Sequence, residues 1–218
     1  MPFLLEPDAY TLLKDYDIPV PDFKLIKSEE EISELAKEVN FPIVMKIVSP
    51  DIIHKTDAGG VKVGIQTEKE ARIAYQEIIF EAKKYNKEAR IYGVITYPMI
   101  PEGIETIIGI GKDPEFGKFI MFGLGGIYVE VFKDVSFRLV PLEIQEVKKM
   151  VSEIKGNVLF DRYRGKNPKN VDALVDIILK CSKLAYENKR LNRMDLNPVI
   201  VGENDAVVVD ARIELKEK

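Results

Sequence analysis

Residues 42–65 read Pro42-Ile43-Val44-Met45-Lys46-Ile47-Val48-Ser49-Pro50-Asp51-Ile52-Ile53-His54-Lys55-Thr56-Asp57-Ala58-Gly59-Gly60-Val61-Lys62-Val63-Gly64-Ile65. The β-branched run at each end predicts a strand, over Phe41–Val48 and Val61–Ile65, with a long loop between them. Pro50 forbids a helix or a central strand in that loop, and Gly59-Gly60 permits backbone conformations other residues resist. The chain's single histidine, His54, lies in this loop. Imidazole is nucleophilic near neutral pH, so a histidine beside a glycine-rich turn points to transient phosphoryl transfer; the alternative is a surface histidine with no role. Lys46 is a lone cation in an apolar strand, which demands an anionic partner or a wet cleft. Lys62 follows the glycine pair, whose backbone N–H groups are expected to cradle phosphate oxygens.

Outward from this stretch, Ser28 with Glu31 reads as a capping box ahead of a helix running to about Val39. Thr67 with Glu70 caps a longer helix carrying Ala71, Ala74, Ile78 and Ala82 on one face. Ile91–Met99 reads as a strand, and the Pro98 and Pro101 break marks a change of lobe. Further strands are expected at Glu105–Ile110, Lys118–Phe122 and Tyr128–Phe132, and helices at Glu143–Ile154 and Val171–Asn188. The pattern predicts an α+β fold of two lobes, each a mainly antiparallel sheet packed with helices. Residues 22–94 form the small lobe, and residues 1–21 with 95–218 the large one.

The C-terminal segment can be read geometrically. If residues 202–205 form a symmetric turn, Asn197 faces Asp210 and Asp195 faces Arg212. Strict alternation then puts Leu196, Pro198, Ile200, Val207, Val209, Ala211 and Ile213 on the core face and the four polar residues on the other. An amide beside a carboxylate suits Mg²⁺, which takes one or two protein ligands and fills its shell with water and phosphate. A solvated hairpin face with a cross-strand salt bridge is the plainer reading.

Composition bounds the rest. At 218 residues, 46% hydrophobic and 31% charged, with net charge −4, the chain is of globular type without a basic stripe, so no nucleic-acid partner is expected. No window approaches a membrane span and the stretch Met1-Pro2-Phe3-Leu4-Leu5-Glu6 does not read as a basic leader, so a cytoplasmic protein without membrane contact is expected. Cys181 is alone and lies in an apolar helical run, which fits a buried thiol. Abundant Lys and Glu with no Trp fit a thermophile. Gly109-Ile110-Gly111 fails as a dinucleotide fingerprint because Asp113-Pro114-Glu115 follows where a helix must open, and no Gly-Lys pair completes a Walker motif.

The histidine stretch, Asp113-Pro114-Glu115-Phe116-Gly117, Phe122-Gly123-Leu124-Gly125-Gly126 and Asp195-Leu196-Asn197-Pro198 stand in one order along the chain. Together they resemble the ATP-grasp (beta) subunit of archaeal ADP-forming acyl-CoA synthetases, relatives of succinyl-CoA synthetase. The resemblance covers essentially the whole chain. It implies that Lys46 and the Gly59-Gly60 loop hold the phosphates of ATP or ADP, which Lys62 would join by its place after the glycines, with Tyr97 and Met99 near the base and Glu105 near the ribose. It further implies Mg²⁺ on Asn197 and Asp210, phosphoryl relay by His54, and Asp57, Asp195 and Arg212 in support. The family's hinge strand carries Gln before its Met; here Tyr97-Pro98-Met99 stands, which leaves ATP against GTP open. The implied partner is an alpha subunit with a CoA-binding domain and a second catalytic histidine, in a heterotetramer. Two other readings remain at this point: a self-contained ATP-grasp carboxylate ligase, and a non-catalytic nucleotide-sensing subunit.

Overall fold

The computed structural model describes residues 3–126, 134–161 and 167–216. The strand expected at Tyr128–Phe132, together with Arg162 and Arg164, lies outside them. The described chain forms two compact units. The smaller comprises Leu5–Asp8 and Pro21–Met99, the larger Met1–Leu4, Ala9–Val20 and Ile100–Lys218. Helix α1 (Glu6–Lys14) contributes residues to both.

The small unit is an antiparallel sheet of β1 (Lys24–Ile26), β4 (Gly93–Pro98), β2 (Ile43–Val48) and β3 (Val61–Ile65), in that order. Helices α2 (Ile32–Glu38) and α3 (Glu68–Tyr85) cover one face. Alternation along β2 sends Ile43, Met45 and Ile47 into that helix-covered core, with Ala71, Ala74, Ile78 and Ala82 of α3. Thr67 caps α3 as expected, accepting from the Glu70 amide at 3.2 Å. Ser28 does not cap its helix: residues Glu29–Glu31 wind as a 3₁₀ turn first, and the Glu31 carboxylate instead accepts from the Lys27 amide. A division after residue 94 would cut through β4, whose ladder with β2 runs on to Ile43↔Pro98. The small unit accordingly closes at Met99.

Among the described residues, the large unit holds a six-stranded antiparallel sheet. Its strands are β5 (Ile104–Asp113), β6 (Gly117–Leu124), β7 (Val135–Leu139), β8 (Leu191–Val201), β9 (Ala206–Val208) and β10 (Ala211–Leu215). Helices α4 (Ile144–Glu153) and α5 (Val171–Glu187) pack on it through Val147, Met150, Leu174, Ile178, Cys181 and Leu184, all inaccessible to solvent. Burial alone raises the pKa of the Cys181 thiol and keeps it protonated. Asp113-Pro114-Glu115-Phe116-Gly117 is the β5–β6 hairpin turn. The Asp113 carboxylate accepts from the Glu115 and Phe116 amides, both at 2.9 Å, which also holds its pKa down. Gly117 supplies the positive φ, +84°, that the turn needs.

Candidate active site

The residues singled out in the sequence fall into two groups, one in each unit. In the small unit, β2 delivers Lys46 to the sheet face opposite its helices. Its ammonium lies 3.2 Å from Glu6 Oε1 and 5.3 Å from the centroid of the Tyr97 ring. The demand for an anionic partner in an apolar strand is thus met by the first residue of α1, far upstream in sequence. A second cation, Lys55, reaches the other oxygen of the same carboxylate, Oε2, at 2.8 Å. Nothing in the pattern around Lys46 announced Glu6; the only cue is an acidic residue opening an amphipathic helix.

The loop after β2 is anchored at both ends by buried side chains, Ile52 and Ala58, which belong to the small unit's core. Between them His54, Ile53, Thr56 and Asp57 are exposed, while Lys55 turns inward. Asp51 pins the approach to the loop: Arg90 grips both its carboxylate oxygens, at 2.7 and 2.9 Å, and holds its pKa down at about 2.

Two of the groups expected at the phosphates have other partners in this structure. The amides of Gly59 and Gly60 do not face outward as a cradle; they donate to Thr56 O at 3.0 Å and Lys55 O at 2.7 Å, closing the turn on itself. Gly59 has φ +64°, which favours glycine, whereas Gly60 is required for close packing: a Cβ there would lie 2.5 Å from Ile47 Cγ2. Lys62 is not brought together with Lys46. It pairs with Met45 across the β2–β3 ladder, so it projects on the helix-covered face and meets Glu77 of α3. One residue of strand parity separates the two lysines onto opposite faces. Tyr97, opposite Val44, is buried beneath the Lys46 ammonium; Met99 is exposed, its amide donating to Pro42 O at 2.8 Å.

In the large unit the hairpin register is the one the symmetric turn requires. Gly202 N donates to Asp205 O at 2.8 Å, Val201 pairs with Ala206, and Asp195 pairs with Arg212. Asn197 N donates to Asp210 O at 3.1 Å, so these two residues are direct neighbours across the strands. The apolar alternation differs from the expected one beyond Leu196. Val199, Val201, Ala206 and Val208 are buried, while Pro198, Ile200 and Val207 are only partly so. The cause is a bulge: β8 places Asn197 and Pro198 between residues that on β5 are separated by Ile107 alone. That extra residue flips the parity of the rest of the strand.

Asp195, Asn197, Asp210 and Arg212 therefore sit around the bulge. Burial raises the pKa of Asp195, and Asp210 adds to the effect, against the lowering pull of Arg212 and Arg193. Asn197 is exposed and Asp210 and Asp195 are half-buried. Among the described residues no group of three or more His, Cys, Asp or Glu gathers as a metal cage. One amide and one carboxylate oxygen donor, side by side, fit a hard cation that draws its remaining ligands from water and phosphate. Glu105, exposed at the start of β5, pairs with Ile200, and its carbonyl accepts from Gly125 N at 2.8 Å. A Cβ on Gly125 would come within 3.1 Å of the Glu105 backbone, which explains the glycine there.

The ATP-grasp domain family profile matches residues 2–215. The beta subunit of an ADP-forming acetate–CoA ligase from Pyrococcus furiosus is 48% identical over 97% of this chain and 91% of its own length. The 4-hydroxybutyrate–CoA ligase (ADP-forming) of Nitrosopumilus maritimus is 44% identical over 98% of this chain but only 31% of itself. The dinucleotide-forming acetyl-coenzyme A synthetase 1 of Ca. Korarchaeum cryptofilum, solved with coenzyme A, Ca-AMPCP and HgCl+, superposes with TM-score 0.96 at 44% identity, over 99% of this chain and 94% of that one. A second structure of that protein holds coenzyme A and Mg-AMPPCP, with its phosphohistidine segment pointing towards the nucleotide-binding site; TM-score 0.86, identity 41%, coverage 98% and 93%. With sheets, loop and hairpin all in place, the chain belongs to the ATP-grasp family, within the beta subunits of the ADP-forming acyl-CoA synthetases.

Proposed function

We propose that this chain is the nucleotide-binding subunit of an ADP-forming acyl-CoA synthetase, catalysing acyl-CoA + ADP + Pi ⇌ acid + ATP + CoA with a partner subunit. The observation that carries the reading is His54, exposed at the crest of a loop that is pinned at both ends and follows directly from the strand bearing Lys46. In the forward direction phosphate displaces CoA from the thioester to give an acyl phosphate. The phosphoryl group then passes to imidazole nitrogen with release of the acid, forming a P–N bond. An oxygen of the ADP β-phosphate attacks that phosphorus, the P–N bond breaks, and ATP forms.

Lys46 places a fixed positive charge for the polyphosphate, and Glu6 holds its ammonium in position. Asn197 and Asp210 would hold Mg²⁺, which neutralises charge on the transferred phosphoryl group when bound. Asp195 and Arg212 flank that pair, and Asp57, on the same loop, would support the relay histidine. Glu105 approaches the ribose, and main-chain groups of Tyr97-Pro98-Met99 the base. The glycines shape the loop rather than grip phosphate.

The partner, an alpha subunit, supplies the CoA-binding domain and a second catalytic histidine, and the complex is a heterotetramer. The Pyrococcus relative's name as a beta subunit supports this, as does the much greater length of the single-chain Nitrosopumilus relative. The test is γ-labelled ATP with Mg²⁺, with and without the partner. Acid-labile, base-stable label should appear on His54 and be absent from His54→Ala, which still binds nucleotide. Full turnover of the reconstituted His54→Ala complex would refute the relay.

A further inference from the structure

Four lysines converge at one end of the large unit. The β5–β6 ladder sets Lys112 directly opposite Lys118, one pair in from the hairpin turn. Like charges in that relation repel, and the pair costs stability unless something offsets it. Strand parity puts both on the side of Ile110 and Ile120, which α5 covers. Lys189, just past the end of α5, and Lys216, just past the end of β10, join them around one cleft of about 330 Å³. Phe116 and Tyr186 give that cleft exposed aromatic walls.

Lys118 Nζ donates to Ala185 O and Asn188 O, both at 2.8 Å, and so closes the C-terminal end of α5. Lys189 Nζ donates to Tyr186 O at 2.8 Å and stands 4.7 Å from the centroid of that residue's ring. Helix capping thus accounts for Lys118, but not for the lysine facing it, nor for Lys216. Lysines elsewhere, such as Lys24, Lys84 and Lys180, pair with carboxylates. Among the described residues none of these four does. Burial first, and then the charges of Lys189, Lys216 and Lys112, lower the pKa of Lys118. A cleft lined by one sign of charge concentrates the opposite ion.

We propose that this cleft binds a small anion carrying two or more phosphate groups. A phosphate monoester carries a charge of about −1.5 to −2, so four ammonium groups match two such groups rather than one. Lysine suits phosphate as a compact point charge, and the aromatic walls offer a planar group a surface to stack on. The anion would offset the repulsion between Lys112 and Lys118. Inorganic polyphosphate and a nucleoside diphosphate share this chemistry. The cleft is separate from the nucleotide site proposed above. Asp195 pairs with Gly109 and with Arg212, so it takes the sheet face opposite that of Ile110 and Lys112.

The test is lysine footprinting of the whole chain with sulfosuccinimidyl acetate, read by mass spectrometry at each lysine in the absence of Mg²⁺. The probes are tripolyphosphate, ADP, and NaCl at matched ionic strength. Saturating tripolyphosphate or ADP should slow acetylation of Lys112, Lys189 and Lys216 at least about tenfold, because an occupied site is withdrawn from reaction. Lys24 and Lys84 should label as before. Screening depends on ionic strength alone, so NaCl should leave the cluster within about twofold of its rate in buffer. In the double variant Lys112→Gln/Lys216→Gln, neither of whose lysines is buried, protection of Lys189 should fall below about twofold. The more protective probe identifies the source of the phosphates. Absence of protection by both probes, equal protection by NaCl, or full protection in the double variant would overturn the site. Phosphoryl transfer to His54 plays no part in this measurement, so the cleft and the relay stand or fall separately.

Discussion

Replacing Gly60 with Ala tests the packing under the histidine loop. The added Cβ would sit 2.5 Å from Ile47 Cγ2, 3.2 Å from Ile47 Cβ and 3.1 Å from Lys55 O. Ile47 is inaccessible and sits in the small unit's core, and Gly60 donates its amide to Lys55 O, so neither neighbour has room to withdraw. Overpacking of this kind costs about 1–3 kcal/mol. For a chain of this size that lowers the melting transition by roughly 2–12 °C, measured by calorimetry. Two second-site changes separate this cause from others. Ile47→Val keeps Cγ2, so its own cost of about 0.5–1.5 kcal/mol should simply add to that of Gly60→Ala. Ile47→Ala removes Cγ2, so the double variant should be less damaged than the sum of the singles by about 1 kcal/mol or more. A Gly60→Ala protein melting within about 1 °C of wild type would refute the reasoning. So would strict additivity with Ile47→Ala.

Two more outcomes follow from the same geometry. Asn197→Ala and Asp210→Ala should each weaken Mg²⁺-dependent nucleotide binding about tenfold or more by calorimetric titration, leaving Mg²⁺-independent affinity unchanged; Mg²⁺-dependent affinity unchanged from wild type in both variants would dispose of the hairpin site. Arg90 holds the Asp51 pKa at about 2, below its unfolded value, so the pair's stabilisation is fully present above about pH 4 and fades as pH falls toward about 2. Arg90→Gln should raise the Asp51 midpoint in a carboxyl ¹³C titration and lose that pH dependence; an unmoved midpoint would contradict the assignment.

How much of this was legible beforehand depends on the range of the signal. The Thr67 cap, the α3 stripe and the Val61–Ile65 strand are local patterns of period 3.6 or 2, and each is realised nearly residue for residue. The hairpin register followed from turn symmetry, since every β8 pairing with β9 and with β10 as far as Arg193 keeps it. Parity beyond Leu196 was not legible because the bulge is defined by β5, a strand some ninety residues away in sequence, and alternation has no means of sensing it. The face taken by Lys62 was hidden for a related reason: adjacency to a glycine pair says nothing about which side a strand residue takes. Lys46 declared a need for an anion, but its supplier lies on α1, forty residues upstream, and only tertiary folding brings it near. Family motifs supplied the roles; the polar contacts that support them had to be read from the fold.

The doubled step at Asn197-Pro198 also bears on how this protein could be altered. Side chains along β8 are exchangeable one at a time, but its length is not. Losing a single residue there would straighten the strand and restore even pleating, yet would rotate either the hairpin tip or the Asp195 end by half a turn, exposing valines that are now sealed. Length variation in this region should therefore be confined to the tip at residues 202–205, where added residues project into solvent and disturb neither half.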